Sequence, residues 1–501
     1  MTSSIILWWN FGIPMNAHAV KQQRDLVIAQ IKVHVPIMEH FFGLKDTLRQ
    51  YSAKLNQFTV SPLHFERQNL IRTKLRAKIL QLFGEQVEKK LKVNLEGALA
   101  FNIADHHQVL NHPFIISSNI VSSAGKLIQA DKQDAIIVVS SGDVPPNNYF
   151  SLNGFQFHGK RIPLFSTSER EWSSYYIPKR NFDFIARLRD IGRWGEFTQE
   201  EQEFLEKEQA KILSWDYTRC TNYLDQISVI VRESWPFLFS AGLRPALPEL
   251  IYVTQEELVT ECLINLLQQD NFLSASLFDQ WFRQRVLDNF RGIVVTWREQ
   301  EAKGTHFFWR KYPGEPRSLR LYVEGNNLVP QDARFKDYAV PLERDAIIEL
   351  LKRREIYPSL FTIFSTLNFY AGVKPLVGYG SVVYLTLMKE VWEKTLAQSP
   401  FANEVALVKE VDTTGFVAGL ALFFKRLEGR VRTLYAHDIF YDGGVNKDYL
   451  HVILDMKFSD LASVGAADMY DYYASKYIPQ EQHIKPDVNF DDLAELTFNW
   501  L

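Results

Sequence analysis

Two short apolar runs, each stopping abruptly in a polar loop, constrain this chain most. ALAFNI (98–103) breaks into Asp105-His106-His107-Gln108 and then Asn111-His112-Pro113. A helix-compatible segment follows. AIIVV (135–139) then ends in Ser140-Ser141-Gly142-Asp143. Continuous apolar runs of this length, bounded by turn residues, suit strands buried on both faces. Strand, loop, helix, strand is a βαβ unit with a right-handed crossover. Both loops then leave one edge of a parallel sheet, where open α/β sheets bind their ligands.

With 501 residues, two to four domains are expected. Hydrophobic residues make up 46% of the chain, ample for a core. Net charge is −3, from 56 basic and 59 acidic residues, so nothing argues for nucleic acid or an anionic membrane as partner. Cys220 and Cys262 form neither a disulfide framework nor a metal motif. The apolar start, Ile5 to Trp9, is too short to span a bilayer and reads as a buried strand or docked terminus. No later stretch reaches 18 apolar residues. The expectation is a cytoplasmic protein whose partner is a small-molecule substrate. The helical N-terminal part leaves a homodimer open.

Periodicity divides the rest. Residues 1–95 read as a helical extension, with Leu70, Ile71, Leu75, Ile79, Leu80 and Phe83 on one face. Asn94 and Gly97 mark the passage into the core, which spans 96–400. The first crossover reads as helical from Asn111 to Gln129. GFQFHGKRIPLF predicts a short hairpin around Gly159. Residues 180–235 return to helix, with Thr198 as an N-cap. PELIYV followed by Thr254 predicts strand, cap and helix. Residues 305–329 read as a β-meander with PGEP and GNN turns. A C-terminal αβ segment, 401–501, is expected to hold a helix from Thr414 to Leu427, a strand near Thr433 and helices after Asp460. The predicted fold class is α/β: a Rossmann-like parallel sheet with added αβ elements.

Four clusters could carry chemistry. His106, His107 and His112 lie within seven residues of a chain with only 12 histidines. A neutral imidazole can act as acid or base near pH 7. Asp105, Gln108 and Asn111 accompany them, and the helix start offers N–H groups to an anion. The bland alternative is a polar loop that caps its helix. No H-E-x-x-H or similar pattern accompanies the histidines, so metal is not assigned. Ser140, Ser141, Gly142 and Asp143, with Asn147 and Asn148, form a turn that could hold a carboxylate or ribose. Gly378-Tyr379-Gly380-Ser381 follows an apolar run and opens a helix, a common anion cradle and equally a plain helix start. His306 to Trp309, Trp8-Trp9 and the His437–Asp442 segment read more simply as core and turn. Walker A, GxSxG, CxxC and kinase motifs are missing.

Taken in order, these blocks resemble the bacillithiol-biosynthesis cysteine-adding enzymes. ADHHQVLNHPFI stands where that family has GQQ-x-GLxxGPLY, with His112-Pro113 at its Gly-Pro. Gly142 to Pro146 stands at its GEDHD. THFFWRKYPGEPRSLRLYVEGNNLV matches its aromatic meander. PLVGYGSVVYLTLMK matches FIAGPGEINYWGELK, retaining Gly378, Gly380, Tyr384 and Lys389. The resemblance covers roughly residues 95–395. It implies a Rossmann-like core, ATP or another nucleotide as cofactor, and a ligase joining an amino acid or other carboxylate to an amine. The chain departs from the family at Val144-Pro145-Pro146, where acidic and histidine residues are expected, and at Ser381, where a glutamate is. Two further readings stay open: a binding protein that kept the fold without the chemistry, and a histidine-bound metal enzyme.

Overall fold

The computed structural model describes residues 17–91, 95–127 and 135–501, so Ile5 to Trp9, Asn94 and Gln129 lie outside the described residues. Five strands build a parallel sheet: β1 (Ala100–Asn102), β2 (Ala135–Ser140), β3 (Glu249–Thr254), β4 (Lys374–Gly378) and β5 (Gly415–Ala418). Their spatial order is β5-β4-β1-β2-β3, with every pairing parallel. The chain leaves β1 on one side to form β2 and β3, then returns to its other side for β4 and β5. β1 is therefore where the order reverses. It pairs with Lys374–Leu376 on one side and, through Asn102, with Val138 on the other. Nearly all residues of the five strands are buried, as a sheet covered on both faces requires.

Seven helices matter to the site: α1 (Ala17–His34), α2 (Pro62–Phe83), α3 (Pro113–Ser123), α4 (Tyr223–Ser234), α5 (Gln255–Leu266), α6 (Tyr379–Ala397) and α7 (Ala466–Ala474). α3 is the crossover between β1 and β2. It packs on β1, β2 and β5, and all its residues are buried. α2 opens with Ser61 accepting from the His64 N–H and Pro62 in its first turn. It buries Ile71, Leu75, Ile79 and Leu82, while Leu80 turns out 42% exposed. α1 packs on α7 and on the helix Phe490–Thr497, so the two ends of the described chain meet.

The hairpin (Gly154–Phe157 with Lys160–Pro163) forms as expected, with positive φ at His158 and Gly159. The Thr198 capping box forms too. The predicted meander belongs to a larger antiparallel sheet of five strands, completed by Ile356–Pro358 and Val340–Pro341. One expectation fails outright. Thr414 to Leu427 is not a helix: Gly415–Ala418 is β5, and Phe424–Leu427 pairs with Arg430–Thr433. An apolar run without polar punctuation carries no period to separate helix from buried strand. Here Gly415 meets the Pro375 carbonyl so closely that a Cβ would sit 2.4 Å from that oxygen. No helix among the described residues is long and apolar enough to cross a membrane.

Two buried polar side chains of α2 fasten the sheet. Gln68 donates to the Gly372 carbonyl (3.0 Å) and accepts from the Leu99 N–H (2.9 Å), just before β4 and β1. Arg72 donates to the Leu95 and Gly97 carbonyls at 2.7 Å each. Gln68→Ala strands a buried donor and a buried acceptor, each costing about 1–3 kcal/mol. The expected outcome is a loss of at least about 2 kcal/mol in chemical denaturation; a loss below about 0.5 kcal/mol would refute this fastening.

Candidate functional site

The loop after β1 continues the sheet pairing beyond the strand. The Ile103 N–H donates to Leu376 (2.9 Å), the Ser141 N–H to Asp105 (2.9 Å) and the His107 N–H to Ser141 (2.8 Å). Because β1 and β4 are parallel neighbours, the histidine loop and the Gly378 turn leave the same sheet edge, on either side of the order reversal.

A buried polar chain holds the loop. Asn102 donates to Ser118 and to the Asn119 carbonyl oxygen (3.0 Å each), so the Asn119 NH₂ faces Tyr252, at 2.7 Å. The Tyr252 hydroxyl in turn donates to Asp105. Asp105 is fully buried, its Oδ1 has no partner, and burial pushes its carboxyl up to about 8. Asp105 therefore serves the interior rather than a ligand.

The three histidines separate by role. His107 accepts or donates at both nitrogens: Nδ1 lies 2.8 Å from Ser140 Oγ, and Nε2 2.8 Å from the Leu224 carbonyl. That carbonyl can only accept, so Nε2 carries the proton and Nδ1 accepts from Ser140. Contrary to expectation, neither His107 nor Ser140 is left for a substrate. His112 is the N-cap of α3, its Nδ1 accepting from the Phe114 N–H (3.2 Å), which leaves its proton on Nε2. His106 Nδ1 lies 3.2 Å from Asn148 Oδ1. That oxygen already accepts from the Phe150 and Ser151 N–H groups, so His106 must donate from Nδ1. Its Nε2 lone pair has no hydrogen-bond partner among the described residues. Burial pushes His106 and His107 down to about 4 and His112 to about 3, so all three are neutral at pH 7. The rings of His106 and His112 both meet Phe150 edge-on, at 4.9 and 5.0 Å. They are the pair the loop brings together: one offers a lone pair, the other an N–H.

The expected anion sites are largely filled by the protein itself. Asn111 donates to the Phe150 carbonyl and accepts from the Gln156 N–H (2.8 Å each). At the start of α3, Pro113 has no N–H and that of Phe114 is capped, so this helix end is not open to an anion. The Ser141-Gly142-Asp143 turn does form a nest, but Glu256 occupies it. Its carboxyl accepts from the Gly142 N–H (2.7 Å), the Asp143 N–H and Ser141 Oγ (3.2 Å each). A Cβ at Gly142 would sit 2.9 Å from Thr254 Cγ2 and 3.1 Å from Glu256 Oε2, so the glycine admits Glu256 rather than a ligand. Asp143 accepts from Tyr357 and from Ser173 (3.0 Å). Asn147 lies on the surface, 3.3 Å from Glu171, and it is Asn148 that reaches the histidines.

Sequence reasoning placed Glu256 on its helix without giving it a role. A carboxylate in the first turn after a buried strand was the available signal. Burial, with Asp143 nearby, pushes Glu256 up to about 8; burial also pushes Asp143 up to about 7.

The Gly378 turn stays more open. Gly378 is the N-cap of α6, without a side-chain cap, and a Cβ there would meet nothing nearer than the Ala418 carbonyl at 3.5 Å. Gly380 lies under Tyr472 of α7, whose ring would be 2.7 Å from a Cβ. The Tyr379 carbonyl accepts from Tyr473 (3.0 Å), and Ser381 pairs with Tyr384 (2.5 Å). Lys389 donates to the Val411 carbonyl (2.8 Å), away from the turn. His437 stacks on Phe155 at 3.8 Å, and Asp438 caps its own helix, matching the bland reading of that segment. Among the described residues, no group of three or more His, Cys, Asp or Glu could hold a metal ion.

No protein-family model matches the chain, and no curated protein or solved structure matches it.

The buried groups set opposite pH dependences. The carboxyls of Asp105, Asp143 and Glu256 keep their protons up to about 8, about 7 and about 8, while in the unfolded chain they ionise near 4. The native state binds more protons across that window, so stability falls as pH rises through it. The three neutral histidines act the other way: the unfolded state takes up protons below 6.5, and stability falls as pH drops towards 4. Above pH 7 only the carboxyl effect remains of the two. Melting temperature is expected to fall between pH 7 and 8.5, and to fall clearly less in the Asp143→Asn/Glu256→Gln variant. An equal fall in both proteins would contradict the assignment.

Proposed function

We propose that this chain is a ligase-like enzyme of small-molecule biosynthesis, joining the carboxyl of an amino acid or other acid to an amine at the edge where β1 and β4 end. The observation that carries the reading is the unpartnered Nε2 of His106, held in place by Asn148 at the point of strand-order reversal. Renumbered along the sheet, the order is 3-2-1-4-5, that of doubly wound Rossmann sheets, which bind ligands at this switch point. The resemblance to the bacillithiol-biosynthesis cysteine-adding enzymes points to the same chemistry.

In this reading His106 acts as base. As the amine nitrogen bonds to the activated carboxyl carbon, its proton passes to Nε2, and the leaving group departs with the electron pair of the broken C–O bond. The Nε2–H of His112, across Phe150, donates to the carboxyl oxygen as it gains charge. A bound nucleotide would supply the activation of the carboxyl. Of the two glycine turns, only the first turn of α6 at Gly378 fits a phosphate, since Glu256 fills the other.

One observation favours a second reading, a ligand-binding protein without catalysis. The nest that could hold a phosphate is closed by the protein's own Glu256 carboxyl group. Stabilisation by ATP together with product formation separates the two. Full-length protein incubated with ATP, amino acids and amines is expected to yield an amide detectable by mass spectrometry. His106→Ala is expected to lower that rate about 10²–10⁴-fold while retaining its fold. His107→Ala is expected to lower thermal stability first. A folded His106→Ala variant with undiminished rate would remove the base, and thermal shift without turnover would favour the binding protein.

A further inference from the structure

A cavity opens beside His106, walled by Val109, Val144, Leu164 and Tyr223 and floored by Gln108. Gln108 is 6% exposed, yet neither its Oε1 nor its Nε2 has a hydrogen-bond partner. Buried amides are nearly always satisfied, because an unmet donor or acceptor forfeits its hydration without return. Several of the other polar walls are already committed. His107 is bonded at both nitrogens, Ser151 donates to the Pro146 carbonyl, and Ser174 to the Val144 carbonyl at 2.7 Å. The unmet donor and acceptor of Gln108 face this space, with His106 and Tyr223 on the wall. Among the described residues, no Lys, Arg, Asp or Glu lines the cavity. A charged occupant would thus be desolvated without a counter-charge, a cost several-fold above that of a neutral one. The space takes about one molecule of the size of water.

We infer that this cavity is the seat of the nucleophile: it binds the uncharged, unbranched –NH₂ end of a primary amine, which donates one N–H to Gln108 Oε1 and the other towards His106 Nε2, keeping its lone pair for the carboxyl carbon. The inference rests on the amide-forming reading above and names its amine substrate class. A neutral, apolar-walled site selects the free base over the ammonium ion, and only the free base has a lone pair to attack a carboxyl. A space of about one water leaves no room for branching at the carbon next to nitrogen. Gln108 is a positioning residue here; it holds the nitrogen near His106 and takes no proton itself.

The test uses hydroxylamine, a small uncharged amine at neutral pH, soaked into crystals of the full-length protein. Density within hydrogen-bond distance of Gln108 Oε1, and missing from Gln108→Leu crystals, is the expected result. Hydroxylamine should also raise the melting temperature of the wild type and not that of Gln108→Leu; Gln108→Met serves if the leucine variant fails to fold. Water alone in the cavity after soaking would make this structural hydration and overturn the inference. Formate bound there instead would overturn the neutrality of the site. The outcome separates from that of the base: hydroxylamine bound beside a fully active His106→Ala variant keeps this site and removes His106, whereas an empty cavity removes this site and leaves the His106 assignment standing.

Discussion

Everything at the candidate site depends on the parallel pairing of one short strand with two neighbours. β1 has only three residues, yet it carries β2 on one side and β4 on the other. Helix–strand crossovers force parallel strands to end at a common edge, so the chain has no freedom to send the histidine loop and the Gly378 turn to different ends of the sheet. So short a strand also begins its loop inside the sheet. The polar groups of that loop must find partners in the interior, and the chain from Asn102 through Asn119 and Tyr252 to Asp105 provides them. A hydrogen-bonded chain of this kind rigidifies its surroundings. His106 therefore projects from a fixed base, which positioned proton transfer needs.

The same interior demand explains why so few of the polar residues at this edge remain open to a ligand. A turn that presents successive N–H groups attracts an acceptor, and the first turn of α5 delivers the Glu256 carboxyl to it. Ser140 and His107 satisfy one another and Leu224. Asn111 ties the loop to Phe150 and Gln156. What survives this mutual satisfaction is small: one imidazole lone pair on His106, one N–H on His112, one amide on Gln108 and an uncapped helix start at Gly378. Chemistry confined to these groups is uncharged at the centre, because burial keeps every one of the imidazoles neutral.

The sequence made part of this legible, for physical reasons. Buried parallel strands announce themselves as uninterrupted apolar runs, so β1, β2 and the strand before Thr254 could be read directly. The capping box at Thr198 and the Gly159 hairpin follow from local hydrogen bonding and needed no tertiary knowledge. β5 could not be read, since GFVAGLALFF has no period and its pairing with β4, more than thirty residues earlier, is a tertiary contact. Within the site, residue type located the right loop but could not divide it. His106 and His107 are adjacent and identical in chemistry, and the fold points one outward to Asn148 and the other inward to Ser140 and Leu224. Glu256 escaped because its role depends on a turn more than a hundred residues away.

The central claim is that His106 is a neutral imidazole protonated on Nδ1, with its Nε2 lone pair available at the switch point of the sheet. A ¹⁵N-resolved NMR titration of the histidine rings, with His106 assigned by substitution, measures this directly. The account predicts the Nδ1–H tautomer and a titration midpoint near the value of about 4 that burial imposes. An Nε2–H tautomer, or a midpoint near the ordinary 6.5 or so, would contradict it.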